Sequence, residues 1–181
     1  MATSGTYAFT LDLGDAIEEA FERAGLQLRG GYDYRTARRS IDLLMLEWQN
    51  RGLNLWTVQE GSQTLTAGTS RYTLSGDVLD IVEAFIRTDV DDVSNQFDQT
   101  LNRMSISQYS HLSNKLTQSK PLQYYIEKDP SAISINLWPV PDDAETYTLV
   151  YWRIKRLQDA GTAGSNNYDA PERWLPALTA G

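Results

Sequence analysis

The chain has 181 residues and an ordinary globular composition, long enough to bury a core of its own as one domain or two small ones. Its 24 acidic and 16 basic residues give a formal net charge of -8, which excludes a protein whose whole surface grips nucleic acid and leaves room only for a local basic patch. The absence of cysteine excludes disulfides, thiolate zinc sites and cysteine nucleophiles, so the fold stands on packing alone.

The opening MATSGTYAFT lacks the basic start and apolar segment of a signal peptide, and no later apolar run approaches the roughly 18 residues of a membrane span. The expectation is a soluble, unsecreted protein. Thr10 or Asp12 caps a first helix on which Leu13, Ala16, Ile17, Ala20, Phe21 and Ala24 share a stripe, and Gly25 stops it. Asp15, Glu18, Glu19 and Glu22 face out near the helix start, where acids suit the macrodipole; this is a solvated face rather than a catalytic pair. Gly30 and Gly31 turn the chain, and Asp33 caps a second helix running to about Arg51, with Tyr34, Ala37, Ile41, Leu44 and Trp48 at helical spacing. Leu43, Met45 and Leu46 add apolar surface outside that stripe, so this helix is expected to be covered on more than one side. Arg35, Arg38 and Arg39 sit in its first half, where cations do not help the dipole. They read either as a solvated face with an Arg38 to Asp42 pair or as a contact for an acidic partner.

From Leu55 the periodicity changes to two. WTVQEGSQTL, a turn around Gly68 and RYTL predict a hairpin, and the Ile, Val and Phe content of VLDIVEAFIR favours a further strand. Residues 89–99 read as an exposed acidic loop. Their aspartates lack the glycine and terminal glutamate of an EF-hand loop. Ser105 starts a short helix, and Pro121 leads into the strand LQYYIEK. The stretch 133–153, ISINLWPVPDDAETYTLVYWR, predicts a central hairpin whose first strand ends at Pro139 and Pro141 and whose return strand carries bulky residues on both faces. The glycine, serine and asparagine of the segment 158–168 predict a flexible linker, followed by a short helix carrying Trp174, Leu175, Ala177 and Leu178. The fold class is therefore α+β. An N-terminal helical part (1–54) precedes an antiparallel β-rich segment (55–104), a short helix and loop (105–118) packing on the helical part, a second β segment (119–157), and the linker with its C-terminal helix (158–181).

The residues offer little for chemistry. His111, the single histidine, lies on a short polar helix without a nucleophile elbow, and neither GxxxxGK[ST] nor GxGxxG occurs. The pairs Asp91 with Asp92 and Asp142 with Asp143 fall in loops and read as solvating charges, although two carboxylates held at fixed separation would suit glycoside hydrolysis. No catalytic residue, metal ligand or cofactor is expected. Trp138 and Trp152, with Tyr124, Tyr125 and Tyr151, suit either core and interface packing or an aromatic platform for a sugar or a partner, as in a carbohydrate-binding β-module.

In order, LLMLEWQNRGLNLW, QTLTAGTSRYTLSGDVLDIVEAFIR, SISQYSHL, KPLQYYIEKD, INLWPVPDDAETYTLVYW and APERWLPAL resemble the head-to-tail adaptor (head completion or tail accessory) proteins of short-tailed bacteriophages. Two details depart from the family: Ser119 stands where relatives often carry glycine, and relatives usually continue past APERW with a longer helix or tail. The resemblance implies a structural virion protein, assembled in the host cytoplasm, that forms a homo-oligomeric ring, commonly of twelve copies, at the head–tail junction. The ring would dock beneath the portal, meet the tail nozzle and extend the channel for passing DNA without reading its sequence or touching a membrane. Tyr34, Arg35, Arg38, Arg39, Met45, Trp48 and Trp174 are then the candidate portal or subunit interface. Trp138, Tyr147, Tyr151 and Trp152 are the candidate tail-side or inter-subunit surface.

Overall fold

A computed structural model describes residues 11–52, 56–92, 94–159, 161, 163–167 and 169–180. They divide into two compact units, one formed by the residues up to Trp56 and from Leu157 onward, the other by 57–156. The α+β class is as the sequence predicts, with helices first, β-sheets in the middle and a short helix at the end.

In the helical unit, α1 (Leu13–Arg23) is capped by Asp12, whose carboxylate accepts the Asp15 N–H at 2.9 Å. Thr10, the other expected cap, lies outside the described residues. Gly25 adopts φ +71°, and the Leu26 N–H donates to the Phe21 carbonyl while that of Gly25 donates to Glu22. This is the Schellman arrangement that satisfies the last carbonyls of a helix. Helix α2 (Gly31–Asn50) is capped at Gly30, three residues before the Asp33 that the sequence suggests. Asp33 lies inside the first turn and reaches back to accept the Arg29 N–H at 3.2 Å, so it supports the helix entry without being its cap. Leu13, Ala16 and Ile17 of α1 pack with Ile41 and Met45 of α2 and with Leu157 and Leu178 from the other end of the chain.

Within the segment expected to be a linker, whose residues 160, 162 and 168 lie outside the described residues, Gly164 and Asn166 bond to the start of α1. The Leu13 N–H donates to the Asn166 carbonyl and the Gly14 N–H to Gly164, at 3.0 and 2.9 Å, so first-turn donors of α1 that have no intrahelical partner are satisfied by this segment. Beyond it come a 3-10 turn (Glu172–Trp174) and α4 (Leu175–Leu178).

The second unit is a sandwich of two four-stranded sheets. The strands are β1 (Val58–Thr64), β2 (Arg71–Thr73), β3 (Val78–Thr88), β4 (Phe97–Thr100), β5 (Asn102–Met104), β6 (Gln123–Lys128), β7 (Ile133–Trp138) and β8 (Thr148–Lys155), with α3 (Ile106–Ser110) between β5 and β6. One sheet runs β1-β8-β3-β4 and the other β2-β7-β6-β5. All pairs are antiparallel except β5 with β6. Ile81, Ala84, Ile86, Leu149 and Tyr151 of the first sheet meet Tyr72, Tyr124, Ile126, Ile133, Ile135 and Leu137 of the second in a single core.

Both expected hairpins are absent. The strands 133–138 and 148–155 belong to opposite sheets, as do β1 and β2. The connection after Trp138 is held away from a tight return. Val140 exchanges backbone bonds with Thr117 and Ser119, and the Pro141 carbonyl accepts from Gly68. The turn at 66–70 likewise crosses between sheets, fixed by the Tyr72 hydroxyl, which accepts from the Thr66 N–H at 2.9 Å and donates to the Thr66 carbonyl at 3.0 Å. Two further expectations are corrected. The end of the 89–99 loop is strand β4, paired with β3 through Phe85–Thr100 to Thr88–Phe97. Helix α3 belongs to the β unit, where Tyr109 stacks on Tyr125 at 5.1 Å, and not to the helical part.

Candidate docking surfaces

Helix α2 buries one side and leaves the other bare. Ile41 and Met45 lie in the core, with Tyr34, Ala37, Leu44 and Trp48 packed against it. On the opposite side Tyr32, Arg35, Arg39, Leu43 and Leu46 recur at helical spacing, with Tyr32, Leu43 and Leu46 at 73, 59 and 50% exposure. The expected interface residues therefore separate. Met45 is interior. Trp48 and Trp174 belong to an aromatic trio, Trp174 lying 5.3 Å from the rings of both Trp48 and Trp56, and the Trp56 indole donates to the Asp169 carbonyl at 3.0 Å. Tyr34 turns its ring into the core. Arg38 is half-buried and donates to the Gly161 carbonyl at 3.1 Å. Arg35 donates to the Gly31 carbonyl of its own helix, and it and Arg39 stand on the exposed face.

The expected β-surface residues also separate, because the alternation of β8 sends them to different faces. Tyr151 lies in the core, and Trp152 next to it points outward at 39% exposure. Tyr147 is buried and donates its hydroxyl to Asp142 Oδ1 at 2.9 Å; burial, then this carboxylate, pushes the phenol up to about 12. The Trp138 indole donates to the Asn114 carbonyl at 3.0 Å, on the other sheet from Trp152. Trp138 and Trp152 lie on different sheets, and Tyr124 and Tyr151 are buried, so these rings do not share one exposed face. On the outward face of the first sheet, Trp152 is opposite Glu60 on β1 and Glu83 on β3, with exposed Val58 and Val82 nearby.

At one end of the sandwich the two acidic loops frame an open cleft of about 950 Å³, lined by Asp89, Asp91 and Asp92 from one and Asp142, Asp143 and Glu145 from the other. Asp92 spends its carboxylate on the Ser94 N–H and the Asn95 amide, which hold its pKa below the usual range. Elsewhere, opposite charges stitch the sandwich: Asp80 meets Lys128 at 2.7 Å and Arg103 at 3.3 Å, Asp77 meets Arg153 at 3.1 Å, and Arg87 grips Asp98 through two bonds of 2.8 Å. His111 uses its ring nitrogen on the Ser107 carbonyl of its own helix at 2.7 Å.

Sequence reasoning did not single out Tyr32, Val58, Glu60, Val82 or Glu83. The signal for the helix face was the second apolar strip of Leu43 and Leu46. For the sheet face it was the odd-even split of TLVYWR, once β8 is placed at the middle of a sheet.

What the side chains build is surface for contact, with charge sorted by location, which is the equipment of a structural assembly protein. Residues 8–181, nearly the whole chain, match the SU10 adaptor protein family. The chain belongs to that family and is thus a bacteriophage adaptor, a structural component that joins other phage head and tail proteins. No curated protein matches it. Among the described residues no helix is long and apolar enough to cross a membrane.

Proposed function

We propose that this chain is a head-to-tail adaptor of the virion that assembles as a ring, commonly of twelve copies, between the portal ring and the tail nozzle protein, extending the channel through which DNA is retained and ejected. The observation that carries this reading is the family match over 8–181. Two physical features support it. Six carboxylates gathered at one end of the sandwich repel a polyanion, so a wall bearing them lets DNA slide without sequence-specific binding. The apolar residues left on α2 and on the first sheet are of the kind that subunit and portal contacts bury. In this role the helical part, through Arg35, Arg39 and the exposed face of α2, meets the portal or a neighbouring subunit, and the β part, through Trp152, meets the tail or a neighbour. The protein acts by assembly and needs no cofactor.

The test is to mix the purified chain with the portal ring encoded in the same genome and image the product by electron microscopy. An added collar, with its subunits counted, is the expected result. A folded chain and intact portal that do not associate would overturn the reading.

A further inference from the structure

Two exposed surfaces combine apolar side chains with charges that form no salt bridge among the described residues, although Glu60 lies near enough to Arg87 to favour its charge, and the two surfaces are opposite in sign. The α2 stripe carries Arg35 and Arg39 beside Leu43 and Leu46, and from Tyr32 to Leu46 it runs about 21 Å at the helical rise. The outward sheet face carries Glu60 and Glu83 on either side of Trp152, which places the carboxylates roughly 10 Å apart across the tryptophan at ordinary strand spacing. None of these four charged residues forms a salt bridge among the described residues. In a chain of net charge -8, an exposed arginine pair that forms no salt bridge among the described residues is a local exception that suits an outside acidic surface.

We propose that the α2 stripe of one copy docks on the β1-β8-β3 face of the next, with Leu43 and Leu46 covering Val58, Val82 and Trp152 while Arg35 and Arg39 meet Glu60 and Glu83. The two faces differ, so the contact is heterologous. Each copy offers its helix to one neighbour and its sheet to the other, which generates rings or filaments and not closed pairs. The apolar centre supplies burial, and the charges fix which face meets which. This inference rests on the ring reading above and specifies the surfaces that close it.

The test uses two full-length variants, Arg35→Glu with Arg39→Glu, and Glu60→Arg with Glu83→Arg, both at exposed positions and each checked for folding by circular dichroism. Alone, each variant opposes like charges at every contact, and its assembly on the portal should weaken at least about 100-fold. Mixed in equal amounts they present opposite charges at every contact, so collars of alternating subunits should return. If wild type forms collars and either variant alone still does, or the mixture does not recover, the docking is wrong while the ring reading stands. If wild type forms no collar on an intact portal, the ring reading falls and this contact with it.

Discussion

Gly61 of β1 lies opposite Tyr151 of β8, and the tyrosine ring covers it: a Cβ at this position would sit 2.7 Å from Cζ, 2.8 Å from Cε2 and 2.9 Å from the hydroxyl oxygen. That is short of a comfortable carbon–carbon contact by roughly 0.8 Å. Tyr151 is only 5% exposed and packed in the core between the sheets, so its ring cannot swing away freely. Gly61→Ala therefore forces overpacking worth about 1–3 kcal/mol, against which the smaller entropy loss of alanine returns about 0.5–1 kcal/mol. The net expectation is a loss of about 1–2 kcal/mol, or roughly 5–15 °C in the Tm of a unit of this size. Urea and thermal unfolding of the full chain, followed by near-ultraviolet circular dichroism, measure it. Because the clash is with ring carbons as well as the hydroxyl, Tyr151→Phe should not relieve it, whereas in a Tyr151→Leu background Gly61→Ala should become neutral or stabilising. Equal losses in the wild-type and leucine backgrounds would refute the steric account and leave β1 disturbed for another reason.

Tyr147 makes the fold sensitive to alkali. Its folded pKa, pushed to about 12, lies above the ordinary value near 10, so the stability it contributes is complete below pH 10 and is lost between pH 10 and 12, to a total of about 2–3 kcal/mol. Tyr147→Phe should cost about 1 kcal/mol at neutral pH and flatten that decline; parallel pH profiles of the urea midpoint for variant and wild type would contradict this. Asp80 works at the other end of the scale. Burial opposes its charge, but the bond from Lys128, the Ile81 N–H and the Arg103 guanidinium hold its carboxyl below the usual range. Its contribution is present above the ordinary carboxylate pKa near 4 and fades as pH falls through the lower folded value, so Asp80→Asn should leave acid unfolding less steep below about pH 4. Tyr34 presents a buried hydroxyl with no hydrogen-bond partner among the described residues. Tyr34→Phe should thus be neutral or stabilising by up to about 1 kcal/mol in thermal unfolding, and a loss above that would show that the hydroxyl is bonded after all.

Much of the local structure was legible because its signals are local. Ser105 with Gln108 forms the capping box of α3, Gly25 and Gly52 take the left-handed angles that close α1 and α2, β-branched and aromatic content marks β3, Pro121 marks the start of the run that holds β6, and period two marks β7 and β8. Strand partners were not legible. Alternation says which residues share a face and nothing about which strand lies alongside, so two neighbouring runs were joined as hairpins although the backbone of Val140 is engaged by Thr117 and Ser119. Strand β4 was hidden by its composition: Phe97 is 58% exposed, with Lys120 above its ring, and its neighbours are acidic or polar. The bonds from α1 to Gly164 and Asn166 were not legible for a related reason, since glycine and asparagine signal freedom in isolation but also allow the close backbone approach at Gly14 and Gly164. Among the candidate surfaces, Met45 follows Ile41 by four residues and so had a place on the buried stripe all along, and the parity that buries Leu149 and Tyr151 already sent Trp152 the other way.

The order of the chain makes the closure of the two units unequal. The Lys155 N–H donates to the Thr57 carbonyl at 2.7 Å, so the β unit begins and ends on the adjacent strands β1 and β8 and closes on itself with its own core. The helical unit is built otherwise. Leu13 and Ile17 must meet Leu157 and Leu178, and Trp48 and Trp56 must meet Trp174, across an insertion of about 100 residues. Such contacts form only after a long loop has closed, a cost that grows slowly with length but delays folding, and the sandwich lowers it by bringing the loop's ends together. The order of dependence follows. Damage to the sandwich deprives the helical unit of its closure, whereas damage to the helices leaves the sandwich its complete set of strand pairs.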